Sequence, residues 1–210
     1  MRVGDLPVGS SVFLNVNGKP REFIIVHQGN PDTNIYDASC DGTWLLMKDI
    51  YETRAWHSSL VSSYGGSDIH NYLNNEFLNL FDSGTKGIIQ NVKIPYVWFS
   101  GSSGYVYNKS NGLRSKVFLL SYCEVKSTKV TGSPSGEGVL LDYFNVTTNT
   151  ENNRIAYLDG METGWWLRSP NTNYTDRTFY VTFDGKTSDM GTTQKFGVRP
   201  AMIISPDMLV

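Results

Sequence analysis

Along most of this chain, apolar and polar positions follow strand-like patterns broken by turn residues. In SSVFLNVNG (10–18), a β-type apolar run ends in Asn17-Gly18, a pair suited to left-handed backbone and so to a tight hairpin turn. KPREFIIVHQ (19–28) is the expected return strand, with His27 an ordinary polar group at its end. After the turn-rich NPDTNIYDASCDG (30–42), TWLLMKDI (43–50) predicts a third strand.

One segment carries helical spacing instead. In SDIHNYLNNEFLNLFD, Ile69, Tyr72, Leu73, Phe77, Leu80 and Phe81 recur at three- and four-residue steps, which predicts the main helix over about 67–82. Ser67 is the expected start and Gly84 the expected stop. His70, Asn71, Asn74, Asn75 and Asn79 fall on the other face and are expected in solvent.

Downstream the pattern returns to short pieces. Residues 85–94 predict a helical turn followed by an extended stretch before Pro95, and the aromatic, glycine-rich 95–112 reads as a loop or hairpin. SKVFLLSYCEV (115–125) pairs a buried strand with a turn of helix at 121–125, TGSPSGEG (131–138) reads as a flexible loop, and NTENNRIAYLDG (149–160) as polar surface. GWWLRSP (164–170) reads as a strand ended by proline, RTFYVTFDGKTSDM (177–190) as a hairpin turning at Asp184-Gly185, and FGVRPAMIIS (196–205) as the closing strand. With no internal repeat and no long linker, the 210 residues make a single α+β domain of small antiparallel sheets, one main helix, a short second helix and long loops.

Composition narrows the chemistry. Charged residues are 18% and the net charge is −2, so no basic surface for nucleic-acid backbones is expected. No 18-residue apolar run predicts a membrane-inserted helix, and the first residues lack the pattern of a signal peptide. Cys40 and Cys123 are too few for a disulfide framework; two buried thiols, or a single bridge, are the alternatives. His27, His57 and His70 have no cysteine or second histidine at ligand spacing, and no calcium loop is present, so neither a metal nor a cofactor is expected. There is no nucleophile elbow or phosphate loop. His57 adjoins Ser58 and Ser59, but sequence neighbours do not make a triad. The carboxylate pairs Asp49/Glu52 and Asp159/Glu162 read as solvent-facing charge rather than acid–base machinery.

Between GWWLRSP and GVRPA lies a segment rich in Asn, Thr, Asp and Tyr. Asn171, Asn173, Tyr174, Asp176, Thr182, Asp184, Thr187 and Asp189 are either the polar face and turn of a hairpin or the ligand-binding residues of a recognition surface, where aromatics give rigid contact area and small polar groups give hydrogen bonds. Trp165, Trp166, Arg168, Arg199 and Pro200 read as its structural frame. Each arginine is expected near the interior, bonded to loop carbonyls or a carboxylate, with contact to an anionic ligand as the alternative.

VGDLPVGSSV, SDIHNYLNNEFLNLF, KVFLLSYCEV, GWWLRSP and GVRPA together resemble a bacterial and phage domain family common in gut Firmicutes and their prophages. That family is similar to the C-type-lectin-like fold, in the group of formylglycine-generating enzymes and the variable proteins of diversity-generating retroelements. The resemblance implies termini that meet in paired strands, a flanking helix, and a long loop region that presents the ligand surface. The sugar-binding tripeptides of calcium-dependent lectins are missing, and no cysteine lies in 124–210, where the oxidase would need one. The placement and composition of 171–195 match the diversified segment of the retroelement proteins. The expectation is therefore a non-enzymatic domain of a phage particle or bacterial surface, recognising a host-cell surface protein or glycan. A structural virion protein, contacting itself or other subunits through aromatics around Tyr96–Tyr107, is the first alternative; an enzyme with an unrecognised site is the second.

Overall fold

The computed structural model describes residues 1–59, 63–100, 102–126, 128–148 and 151–209. In chain order the strands are β1 (Ser11–Val16), β2 (Lys19–Gln28), β3 (Thr43–Met47), β4 (Glu52–Ala55), β5 (Val92–Ile94), β6 (Tyr96–Ser100), β7 (Ser103–Tyr107), β8 (Leu113–Ser115), β9 (Val117–Phe118), β10 (Tyr157–Leu158), β11 (Met161–Glu162), β12 (Trp165–Pro170), β13 (Arg177–Val181), β14 (Thr187–Gly191), β15 (Lys195–Val198) and β16 (Ala201–Ile204). Short helices α1 (Asp68–Tyr72), α2 (Ser83–Ile88) and α3 (Tyr122–Val125) lie among them.

The opening hairpin forms as its pattern predicts. Asn17 and Gly18 have φ of 52° and 71°, the double left-handed turn, and β1 alternates exposed and buried positions along its length. β1 and β2 continue into a five-stranded antiparallel sheet of order β1-β2-β3-β16-β9, so the chain's last strand lies inside the sheet that its first strands begin. The termini pair as well, through an Arg2–Leu209 bridge and a Val3 N–H bond to Met208 O of 2.8 Å. A second five-stranded sheet has the order β14-β13-β12-β15-β4. Its β12–β15 pairing is parallel, the departure from the antiparallel expectation. Three two-stranded hairpins or ladders complete the strands among the described residues.

FGVRPAMIIS is not one strand but two, one in each sheet, and Arg199-Pro200 is the crossing between them. The reason is local: proline has no N–H to continue the ladder. β3 and β4 make the same crossing alongside. Met47 N–H donates to Pro200 O at 2.9 Å, and Arg199 Nε donates back to Met47 O at 2.9 Å, tying the two crossings together. The Arg199 guanidinium lies 4.8 Å from the Trp165 ring centroid. Arg199 is thus bonded to a carbonyl as expected, but its Nη1 has no hydrogen-bond partner among the described residues, and the ring face lies against the guanidinium.

The helical segment starts where expected, with Ser67 accepting from His70 N–H, but it runs as α1, then a π-helical stretch over Leu73–Phe77, then a 3₁₀ turn over Leu78–Leu80. The asparagines explain the widening. Asn74 Nδ2 donates to His70 O and Asn75 Nδ2 to Asn71 O, carbonyls that an α-helix gives to backbone N–H groups four residues on. Two polar residues expected in solvent are also docked: His70 Nε2 lies 2.9 Å from Ser115 Oγ, and Asn74 bonds Lys116 N–H and Val117 O. Gly84 is no stop; it lies in α2, which Asp82 caps through Thr85 N–H.

Two further expectations fall. Arg154, in a stretch read as surface, is buried, donating to Gly185 O and Val125 O. The loop 131–138, read as flexible, is built into the interior: Glu137 is fully buried, and a Cβ on Gly138 (φ +143°) would strike the Tyr36 hydroxyl.

β12 is buried at all six positions, and its Arg168 is the hub. Nε donates to Pro95 O at 2.8 Å, Nη1 to Leu119 O at 2.8 Å and Glu124 Oε2 at 2.7 Å, and Nη2 to Glu124 Oε1 at 2.7 Å and Glu137 O at 3.2 Å. All five guanidinium protons are thereby used. Glu124 is held in turn by Tyr36 Oη at 2.9 Å and by Ser121 N–H in a capping box at the start of α3. Removing one partner of a buried pair leaves the other uncompensated, so Arg168→Ala should cost about 3–5 kcal/mol. Thermal unfolding should register this as a melting temperature lower by roughly 10 °C; a shift within a degree of wild type would deny Arg168 its role.

Candidate functional site

The bracketed segment begins with a pin. Asn171 is 2% exposed, its Oδ1 accepts from Asn173 N–H at 2.9 Å, and its amide packs where a Cβ on Gly132 (φ +81°) would stand. Thr172 N–H donates to Gly132 O at 2.8 Å, so the turn after β12 is clamped to the loop before Glu137. Asn171 thus departs from its expected place on the ligand surface: it is too enclosed to meet a ligand, and it holds the turn that presents Asn173 and Tyr174.

From that turn β13 and β14 run as an antiparallel hairpin whose outer strand is the free edge of the second sheet. Tyr174 is 53% exposed, and the Arg177 guanidinium lies 5.1 Å from its ring centroid. Arg177 Nη1 in turn meets Asp189 Oδ1 at 3.2 Å. Tyr174 and Asp189 therefore meet at Arg177, which the sequence pattern does not single out, and Asn173 and Asp176 are its near neighbours along the chain. The signal is present, since Arg177 opens a strand next to the polar turn; its pairing across the hairpin needs the register.

Thr182, Asp184 and Thr187 do not join this group. They sit at the other end of the hairpin, four residues of register away or about 13 Å at the strand rise. Thr182 Oγ1 donates to Asp184 Oδ1 at 2.5 Å, and Lys186 Nζ pairs with Asp184 Oδ2 at 2.8 Å. The Lys186 ammonium, then the Thr182 hydroxyl, hold the Asp184 carboxyl down to about 2. Thr187 Oγ1 accepts from Lys126 Nζ at 3.2 Å. Phe183, 62% exposed at the hairpin turn, is a large apolar surface residue that sequence reading did not single out. All five frame residues are buried, Trp165, Trp166 and Arg168 completely.

The groups able to do acid–base or nucleophilic chemistry are scattered or sealed. His27 Nδ1 lies 2.9 Å from Asp142 Oδ2, His57 Nδ1 accepts from Asp68 N–H at 3.2 Å, and His70 Nε2 lies 2.9 Å from Ser115 Oγ. Asp68 also accepts from Ser58 N–H at 2.7 Å, so the His57–Ser58 neighbourhood closes the start of α1. Asp49, Asp159 and Glu162 are exposed, and Glu52 pairs with Arg54 at 3.0 Å. Cys40 and Cys123 are both free; burial pushes the first thiol up to about 12 and the second to about 11, which keeps both protonated and poorly nucleophilic near neutrality. Among the described residues no group of three His, Cys, Asp or Glu side chains is placed to hold a metal, and no helix is long and apolar enough to cross a membrane.

Glu137 is a carboxyl lifted toward neutrality. Burial pushes it up to about 7 against the opposing pull of Arg168, whose charge is already matched by Glu124. Its Oε2 accepts from Ser169 Oγ, which itself accepts from Tyr122 N–H at 2.7 Å, while Oε1 has no hydrogen-bond partner among the described residues. The carboxyl is closed off from solvent.

The family described as a domain of unknown function (DUF6273) matches residues 41–206, and the chain belongs to it. The unmatched first residues are part of the same first sheet through β1 and β2. No curated protein and no solved structure matches the chain.

The raised Glu137 sets a pH dependence. The folded protein keeps a proton there that the unfolded chain releases above about pH 4.5, so this group's effect is absent below pH 4.5, and stability falls as pH rises to about 7. The loss is on the order of 3 kcal/mol. Glu137→Gln, which cannot ionise, should unfold at a denaturant midpoint that gains on wild type between pH 5 and pH 8. Parallel pH profiles for the two proteins would refute the assignment.

Proposed function

We propose that this member of the DUF6273 family is a non-enzymatic recognition domain, with the outer end of the β13–β14 hairpin and the turn before it as its binding surface. One observation carries the reading: Tyr174, Arg177 and Asp189 form a stacked and paired cluster at a free sheet edge, above a frame whose side chains are buried. Such a cluster offers a flat ring face, a cation and a carboxylate already held in place, so little side-chain freedom is lost on binding. Asn173 and Asp176 extend the hydrogen-bonding groups beside it. Tyrosine and arginine are the residue types that dominate binding energy at protein interfaces. The partner is a surface protein or glycan of a host cell, and the setting, by the resemblance of the motifs, is a phage particle or bacterial surface. The paired termini, the flanking helical segment and the outward polar segment are consistent with a C-type-lectin-like arrangement.

A second reading has its own observation. β6 and β7 form a hairpin on which Tyr96, Trp98, Tyr105 and Tyr107 share one face by alternation, with Trp98 and Tyr105 opposite each other in the register and both exposed. That face suits an assembly contact between virion subunits.

Two measurements separate these. Tyr174→Ala, Asp176→Ala and Asp189→Ala combined should weaken binding to the cell-surface receptor by at least about tenfold, given the usual energies of central contact residues, with melting unchanged; unchanged affinity would reject the site. Sedimentation should give a monomer. A stable oligomer dispersed by Trp98→Ser with Tyr105→Ser would favour assembly instead.

A further inference from the structure

At the turn end of the β13–β14 hairpin, where Lys126 meets Thr187, lies a cavity of about 320 Å³. Lys126, Arg154 and Glu151 line it together with Leu140, Phe144 and Val146. Arg154 is 3% exposed, and two of its donors are committed, Nε to Gly185 O at 2.7 Å and Nη1 to Val125 O at 3.3 Å. Its remaining Nη2 lies 3.6 Å from Glu151 Oε1. Lys126 Nζ donates to Thr187 Oγ1, and among the described residues no carboxylate forms an ion pair with it. The guanidinium is therefore fixed by backbone carbonyls, with its remaining Nη2 shared with Glu151 at the cavity lining, and the ammonium is fixed by a neutral hydroxyl.

From this geometry we infer that the cavity is a binding site for a small organic carboxylate, whose charged end sits between Lys126 and Arg154 and whose apolar body lies against Leu140, Phe144 and Val146. Charge decides the class. Two cations and one carboxylate leave a single positive charge, which a monoanion balances and a phosphate dianion exceeds. Size agrees, since the volume is at the small end of ligand pockets. The free protein leaves the two cations in conflict: burial, then the Arg154 charge, holds Lys126 below the usual ammonium range, and burial holds Arg154 below its own. A bound carboxylate relieves that repulsion and forms charge-assisted hydrogen bonds. The site is separate from the Tyr174 cluster and does not rest on the recognition reading.

Calorimetric titration of the full chain with hexanoate tests it, with acetate (charge without body), hexanol (body without charge) and inorganic phosphate as comparisons. Hexanoate should bind saturably at one site, at least about tenfold tighter than any of the three, because both ends of the site are then used. Lys126→Met should reduce hexanoate affinity by at least about tenfold, as expected for loss of one charged partner, and should melt no lower than wild type without ligand, because it removes a repulsion. Val146→Trp, which fills the apolar end, should abolish binding. Tyr174→Ala should leave it unchanged. Hexanol or phosphate binding as tightly as hexanoate, no saturation by hexanoate, or full affinity in either cavity variant would overturn the assignment.

Discussion

Five hydrogen bonds from one buried guanidinium hold this structure together. Arg168 reaches Pro95, Leu119, Glu124 and Glu137 from the middle of β12, and those four positions belong to segments that no strand pairing joins to one another. A planar fork can serve several acceptors at once, where an ammonium offers a single compact charge. Glu124 answers it with both oxygens and also closes the capping box of α3, so one salt bridge sets the helix, the strand and the loop. Arg199 plays a smaller version of the same part where the chain crosses between the sheets, with Trp165 under its guanidinium.

This arrangement separates holding from contacting. The buried network ends at Ser169, Asn171 and Gly132, and the exposed cluster starts two residues later. Asn171 is the joint: by filling the space beside Gly132 it carries the order of the interior out to Tyr174. A loop that begins from such a clamp can vary in its outer residues without disturbing the core, which is what a recognition surface on a fixed scaffold requires. Glu137 is the cost of the network, a second carboxyl beside an arginine already neutralised.

Much of this is legible in the chain itself. Asn17-Gly18 marks the first turn, Ser67 the helix start, Asp184-Gly185 the last hairpin, and the apolar run around Trp165 the buried strand, because each is a local rule of backbone geometry. Where tertiary partners decide, sequence reading fails. The helix widens because Asn74 and Asn75 compete for backbone carbonyls, and His70 is docked by a serine distant in sequence. Glu137 and Arg154 look like surface charge until the fold encloses them. The candidate site is half legible: composition points to 171–195, but only the register brings Asp189 to Arg177 and leaves Thr187 at the far end of the same face, beside Lys126.

Amide hydrogen exchange tests the division between frame and surface most directly. The N–H groups of Ser121, Tyr122 and Arg168, bonded to Glu124, Ser169 and Leu120, should exchange only through global unfolding, while those of Asn173 and Tyr174 should exchange through local opening at much lower cost. Protection at Ser121, Tyr122 and Arg168 no greater than at Tyr174 would contradict the account.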